Sequence, residues 1–279
     1  MVKFTAGSSG KEMLLNTYEI GIGSGNPYST IWKYSSLKMR FGIEIECFEK
    51  EPILIPITFR FRGSKKTIAA NLNEFFSECE KDIIEKKPGI FTVNEWNLSG
   101  FFVERESVPS DKFYGNELST TFLAPYPFWI QEESFSIAPS TIDNDIANAK
   151  GYPMRYPYSF ARTRKANRIH IDHYTESNFK LVIFGPTDRV QITIAGHPYI
   201  VEYPIAEGEY MVIDSRPVAP IGKQIYIVRT NGKEENIFHY RSCEHSVFKK
   251  IPAGDILIDY PGTYGFDLTV FKERSEPKF

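Results

Sequence analysis

Cysteine is scarce in this 279-residue chain: Cys47, Cys79 and Cys243 are three thiols at wide spacings. An odd, scattered set makes neither a disulfide framework nor a zinc knuckle, so reduced thiols in a reducing compartment are expected. No apolar run approaches the roughly 20 residues that a membrane helix needs. The N-terminal Met1-Val-Lys-Phe-Thr-Ala-Gly lacks the apolar stretch of a secretion signal. Neither charge sign dominates: 33 Lys and Arg stand against 35 Asp and Glu, for a formal charge of −2. That balance gives no global pull toward nucleic acid or anionic membrane. Apolar residues at 42% and charged residues at 24% are the proportions of a folded chain, which excludes bulk disorder.

Catalytic signatures are equally thin. Gly21-Ile-Gly-Ser-Gly-Asn resembles a phosphate loop, but Asn26-Pro27 follows and no helix pattern begins. Helix amides are what hold the phosphate, so the segment reads as a flexible loop. His170 and His173 are three apart, which on a strand puts them on opposite faces. His239, Cys243 and His245 would share one face of a regular strand, but Arg241 lies among them and its charge opposes a cation. They read as ordinary polar residues, and His197 as solvated in a turn. The carboxylate pairs Glu44/Glu46, Glu132/Glu133 and Asp143/Asp145 read as solvated surface. Arg155, Arg162, Arg164, Lys165 and Arg168 read as a solvated connector. No catalytic, cofactor-binding or metal residue is therefore assigned, no cofactor is expected, and the chain reads as non-enzymatic.

What is present is strand pattern and aromatics, which make up 15% of the chain. Ile53, Ile55, Ile57, Phe59 and Phe61 alternate with Leu54, Pro56, Thr58, Arg60 and Arg62. That period of two predicts a strand with one buried face. Pro56 donates nothing to a ladder, so an edge or a bulge is expected there. Ile43, Ile45 and Cys47 alternate with Glu44 and Glu46. The period then changes: Ile68, Leu72, Phe75, Phe76, Cys79 and Ile83 form one apolar stripe of a helix. Ser64 or Thr67 caps its start, Lys86 and Lys87 suit its C-terminal dipole, and Pro88-Gly89 end it. Phe91 to Val93, Phe101 to Val103 and Asn116 to Leu123 add strands. Glu104 to Phe113 reads as irregular, which leaves strands here short of partners.

Seven short β runs follow Phe179, separated by turn signals such as Gly196-His-Pro, Asn231-Gly232 and Pro261-Gly262. Many short strands at close intervals read as a β-sandwich. The fold class expected is thus mostly β with one packed helix. An N-terminal domain over 1–135, a linker over 136–152 and a sandwich over 153–279 complete the organisation.

The order of several pieces is specific. Leu118-Ser-Thr-Thr-Phe-Leu-Ala-Pro-Tyr-Pro-Phe precedes Phe179-Lys-Leu-Val-Ile-Phe-Gly and Val190-Gln-Ile-Thr-Ile-Ala-Gly-His-Pro-Tyr. Tyr210-Met-Val-Ile-Asp-Ser, Phe248-Lys-Lys-Ile-Pro-Ala-Gly and Phe271-Lys-Glu-Arg-Ser-Glu-Pro-Lys-Phe follow. Across the whole chain this resembles the distal tail protein family of bacteriophages with long, non-contractile tails. The start departs from that family's Phe-x-Phe-Asn-Gly pattern, reading Phe4-Thr-Ala-Gly. The resemblance implies a homohexameric ring at the virion tail tip, assembled in the bacterial host cytoplasm. In it the N-terminal domain builds the ring and its DNA-conducting channel, and a galectin-like sandwich points outward. Implied partners are other copies of the chain, a tail-tube protein and a tail-tip or fibre protein, with a receptor-binding protein or host glycan on the sandwich. Neither specific nucleic-acid binding nor membrane insertion is implied. The alternative reading is a tandem β-domain carbohydrate-binding adhesion protein. Against it, Trp32, Trp96 and Trp129 all precede the sandwich, and Trp is the side chain that best stacks on a sugar face.

Overall fold

A computed structural model describes residues 2–26, 28, 30–109, 115–139, 167–217 and 222–278. The chain divides into two units: Met1–Gln131 with Glu273–Phe279, and Glu132–Lys272.

In the first unit the elements are β1 (Val2–Thr5), β2 (Glu12–Leu14), β3 (Ile20–Gly25), β4 (Lys33–Lys38), β5 (Ile43–Glu49), β6 (Ile53–Arg62), α1 (Lys65–Glu85), β7 (Gly89–Val93), β8 (Trp96–Pro109) and β9 (Gly115–Ala124). β10 (Trp129–Ile137) then leads out of it. Two antiparallel sheets share the long strand β8. Its first half pairs with β7, followed by β1 and β2. Its second half pairs with β9, followed by β6 and β3. The alternation read in β6 is realised: Ile55, Ile57, Phe59 and Phe61 are buried, while Leu54, Pro56, Arg60 and Arg62 are exposed. Phe102 stands at the centre of the core, its ring 4.9 Å from Phe122, 5.0 Å from Phe4 and 5.1 Å from Phe75. Each such buried ring contributes on the order of 2–3 kcal/mol.

Helix α1 starts where Ser64 Oγ accepts from the Thr67 N–H at 3.1 Å. It stops at Lys86, which adopts a left-handed conformation with φ 54°. Ile68, Leu72, Phe75 and Cys79 are buried as the stripe predicts, and burial pushes the Cys79 thiol up to about 12. Ile83 departs from the expectation: it is exposed, and the neighbouring Asp82 is buried. The cause is the β1–β2 turn, which lies along the last turns of the helix. Ser8 N and Oγ donate to the Asp82 carboxylate at 2.7 and 2.6 Å, and Gly7 N donates at 3.1 Å. Ser9 Oγ donates to Glu78. Buried carboxylates persist here because the turn's own donors replace water.

Two further segments differ from their sequence reading. The Gly21–Gly25 segment is strand, not loop, paired with β6 from Gly25↔Ile57 to Ile20↔Phe61. Its glycines hide the period-two pattern, because there is no side chain to alternate; Gly23 instead lies against the Arg60 side chain. The stretch beginning at Glu104 is regular strand through Pro109, held by β9.

The second unit takes up the later part of β10 and then β11 (Asn167–Ile171), β12 (Asn178–Phe184), β13 (Val190–Ile194), β14 (His197–Val201), β15 (Tyr210–Asp214), β16 (Gln224–Val228), β17 (Glu234–Asn236), a 3-10 turn at Phe238–Tyr240, β18 (Gly254–Asp259) and β19 (Phe266–Arg274). One sheet has the order β17-β16-β15-β12-β19-β10 and the other β11-β18-β13-β14. Phe179, Leu181, Met211, Ile213, Ile225 and Ile227 from the first face Val190, Ile192, Ile194, Val201, Ile256 and Ile258 from the second in one core. This is the sandwich read from the turn signals, and the fold class is mostly β, as expected. Much of the connector read over 136–152 lies outside the described residues, as do Asp143, Asp145, Arg155, Arg162, Arg164 and Lys165.

Candidate assembly surface

β4 and β5 form an arm. They pair with each other and with no other strand among those described. Every residue of the two strands is exposed except the half-buried Ser35. None contributes to the buried core of the first unit. Yet the arm is apolar: Tyr34 is 56% exposed, Phe48 59%, Ile43 55% and Ile45 46%. An isolated two-stranded hairpin is at best marginally stable in water. Such a segment invites cover from another chain.

A bulge decides which face is apolar. Tyr34 pairs with Phe48 and Ser35 with Cys47, but Ser36 pairs with Ile45, which leaves Glu46 unmatched. The extra residue shifts the alternation by one. Ile43 and Ile45 thereby join Phe48 and Tyr34 on one face, instead of sharing a face with Cys47 as strict alternation predicts. At the tip, Met39 N donates to Gly42 O at 3.2 Å, and Gly42 takes φ +83°, where a side chain would strain the turn. Phe41 at this tip is 87% exposed. Lys38 and Arg40 precede it, and the Arg40 guanidinium lies 5.5 Å from the Phe41 ring centroid.

The root of the arm is built differently. Trp32 packs edge-on against Phe128 with ring centroids 6.2 Å apart. The Lys50 ammonium sits 4.6 Å from the Phe128 centroid and 5.5 Å from that of Trp32. Its Nζ is buried without a hydrogen-bond partner among the described residues. Desolvation brings the Lys50 amine down to about 8, against the opposing pull of Glu276. Beside this root lies a cavity of about 440 Å³ lined by Ile31, Pro52, Ile53, Leu54 and Pro56, with Asn26 and the Lys33–Glu51 ion pair at its rim. Its floor is an open sheet edge. β6 is paired with β9 from Ile53 to Arg62, but with β3 only from Ile57. Pro56 stands where β3 has ended, which accommodates a residue without an N–H.

Of the described residues weighed for chemistry, His197 and His245 come together, with ring centroids 6.0 Å apart. Among the described residues no group of three His, Cys, Asp or Glu is placed to hold a metal. His239 lies in the 3-10 turn rather than on a strand with Cys243 and His245. His197 Nε2 pairs with the Ser246 carbonyl at 2.8 Å, and His170 Nδ1 with Asp255 at 2.8 Å. Glu133 pairs with Lys272 at 2.9 Å. Glu44 and Glu46 are exposed on the arm. No helix among the described residues is long and apolar enough to cross a membrane.

The described residues thus form a two-unit, strand-rich fold with one helix and an apolar arm that lies outside the buried core. Solved structures place that architecture. The chain superposes on the Dit protein (gp 19.1) of phage SPP1, described as a hub adsorption apparatus of phages infecting Gram-positive hosts. The TM-score is 0.61 at 8% identity, over 98% of this chain and 99% of that one. It also superposes on a chain of the phage P2 baseplate in its activated conformation with Ca, at TM-score 0.58 and 8% identity, over 99% of this chain and 100% of that one. The strontium form of the p2 baseplate gives 0.59 and 9%, over 99% of both chains. No family model matches the sequence, and no curated protein does. The chain therefore has a Dit-like fold along its whole length, which matches at the level of fold the resemblance read from the sequence.

Proposed function

We propose that this chain is a non-enzymatic hub protein of a phage tail. It closes into a homohexameric ring at the tail tip and joins a tail-tube protein to a tail-tip or fibre protein, with the sandwich free to carry a receptor-binding protein. The carrying observation is the arm: an apolar hairpin with no core of its own, on a fold shared end to end with phage hub and baseplate chains. Closed rings use heterologous contacts, one patch against a different patch on the next copy, and a protruding arm supplies the first patch. The test is native mass spectrometry of the full chain, alone and mixed with its tail-tube partner. Six copies are expected in one of the two conditions, and replacement of residues 33–49 by a short glycine linker should leave monomers. A chain that stays monomeric at high concentration and with the tube protein overturns the reading.

One observation favours the carbohydrate-binding alternative. Phe184 and Tyr210 are cross-strand neighbours on β12 and β15, both exposed, with ring centroids 6.3 Å apart. An aromatic pair of that kind offers a stacking platform for a sugar. Loss of glycan-array signal in Tyr210→Ala would support it, and an array with no signal for the full chain would remove it.

A further inference from the structure

Resting on the ring reading above, we propose that the arm tip of one subunit seats in the cavity at the arm root of the next, with Phe41 as the inserted side chain. Three observations converge. The first is chemical: Phe41 is 87% exposed at the tip, while the cavity presents Ile31 at 76% and Leu54 at 60% exposure. Its volume of about 440 Å³ admits an aromatic side chain. The second is charge. The tip carries Lys38 and Arg40 and no acid between Leu37 and Gly42. The root carries Glu49 and Glu51 against Lys33, while the Lys50 ammonium is turned between two rings. Lys38 and Arg40 thus meet a rim of balanced charge whose Glu51 is paired with Lys33 and beside which Glu49 is exposed, so that carboxylates are at hand to orient the encounter.

The third is reach. Ile31 and Lys33 line the cavity, so the arm springs from the rim of its own slot. Paired strands from Lys33 to Lys38 then carry the tip roughly 20 Å away at about 3.3 Å per residue. A paired hairpin of that length does not fold back on its own root. Tip and slot therefore belong to different subunits, and the contact is head-to-tail.

The test uses the full chain and two exposed-site variants, Phe41→Asp at the tip and Leu54→Lys in the slot. Sedimentation velocity across a concentration series reads the assembly state. Each variant alone should need at least tenfold more protein than wild type for half-assembly. Mixed one to one, they should form dimers and nothing larger, because only one intact tip and one intact slot remain per pair. Wild-type assembly with both variants assembling equally well overturns the pairing and leaves the ring reading standing. Variants that are monomeric alone and remain so when mixed also overturn it. A wild-type chain that never assembles, with tube protein present, overturns both.

Discussion

Lys50 shows how much a single side chain reveals that its sequence context conceals. A lysine next to two glutamates reads as solvated surface. In the folded chain its amine is desolvated between Trp32 and Phe128 and held down at about 8 instead of 10.5. A lowered amine value means that the folded state disfavours the charged form. The fold is thus penalised at neutral pH and regains stability as pH rises from about 8 to 10.5. Lys50→Met removes that penalty, so it should melt above wild type at pH 7, and the gap should close by about pH 10. Thermal melts at matched ionic strength check this; a gap of equal size at both pH values would reject it. Asp82 and Glu78 teach the same lesson in reverse. The apolar period of α1 foretold Leu72 and Phe75, but Ile83 lost its place because a turn with unpaired N–H groups needed a carboxylate there. Tertiary hydrogen bonding is invisible to periodicity.

Elements were legible in proportion to how strongly a side-chain period marked them. β6 and the sandwich strands alternate cleanly, and α1 carries caps at both ends. β3 was missed because glycine carries no periodic signal, and β4 because Tyr34-Ser-Ser-Leu has neither period. The arm as a whole was missed for a further reason. Its apolar residues look like core residues until the structure shows that no core lies behind them. The missing pairing capacity was expected after Glu104, but β9 fills that place. The bulge at Glu46 offers a direct check on which face is used. Inserting one serine between Ser35 and Ser36 gives Glu46 a partner and turns Ile43 and Ile45 away from the Tyr34–Phe48 face. Circular dichroism and melting should stay near wild type, since the arm touches no core, while assembly by sedimentation should weaken by at least tenfold. Unchanged assembly would mean that this face is not the one covered.

At the scale of the molecule, each unit has its own buried cluster. The sandwich cluster draws its residues from both sheets of the second unit. Expression of Glu132–Lys272 alone should therefore give a dispersed amide spectrum, since the self-contained core meets the size at which domains fold singly. A collapsed spectrum would mean that the sandwich depends on the rest of the chain. The first unit is not a continuous stretch, however, because Glu273–Phe279 belongs to it. Tyr126 donates its hydroxyl to Glu273 at 2.9 Å, and the Arg274 guanidinium lies over the Trp96 ring at 5.7 Å. Chains emerge from the ribosome N-terminus first, at roughly 5–20 residues per second. The unit that carries the arm is begun first and completed last, after the whole sandwich has been synthesised. A chain that stops before Glu273 consequently lacks the clasp that Tyr126 and Trp96 make with Glu273 and Arg274, so the first unit stays unfinished until these late residues have been added.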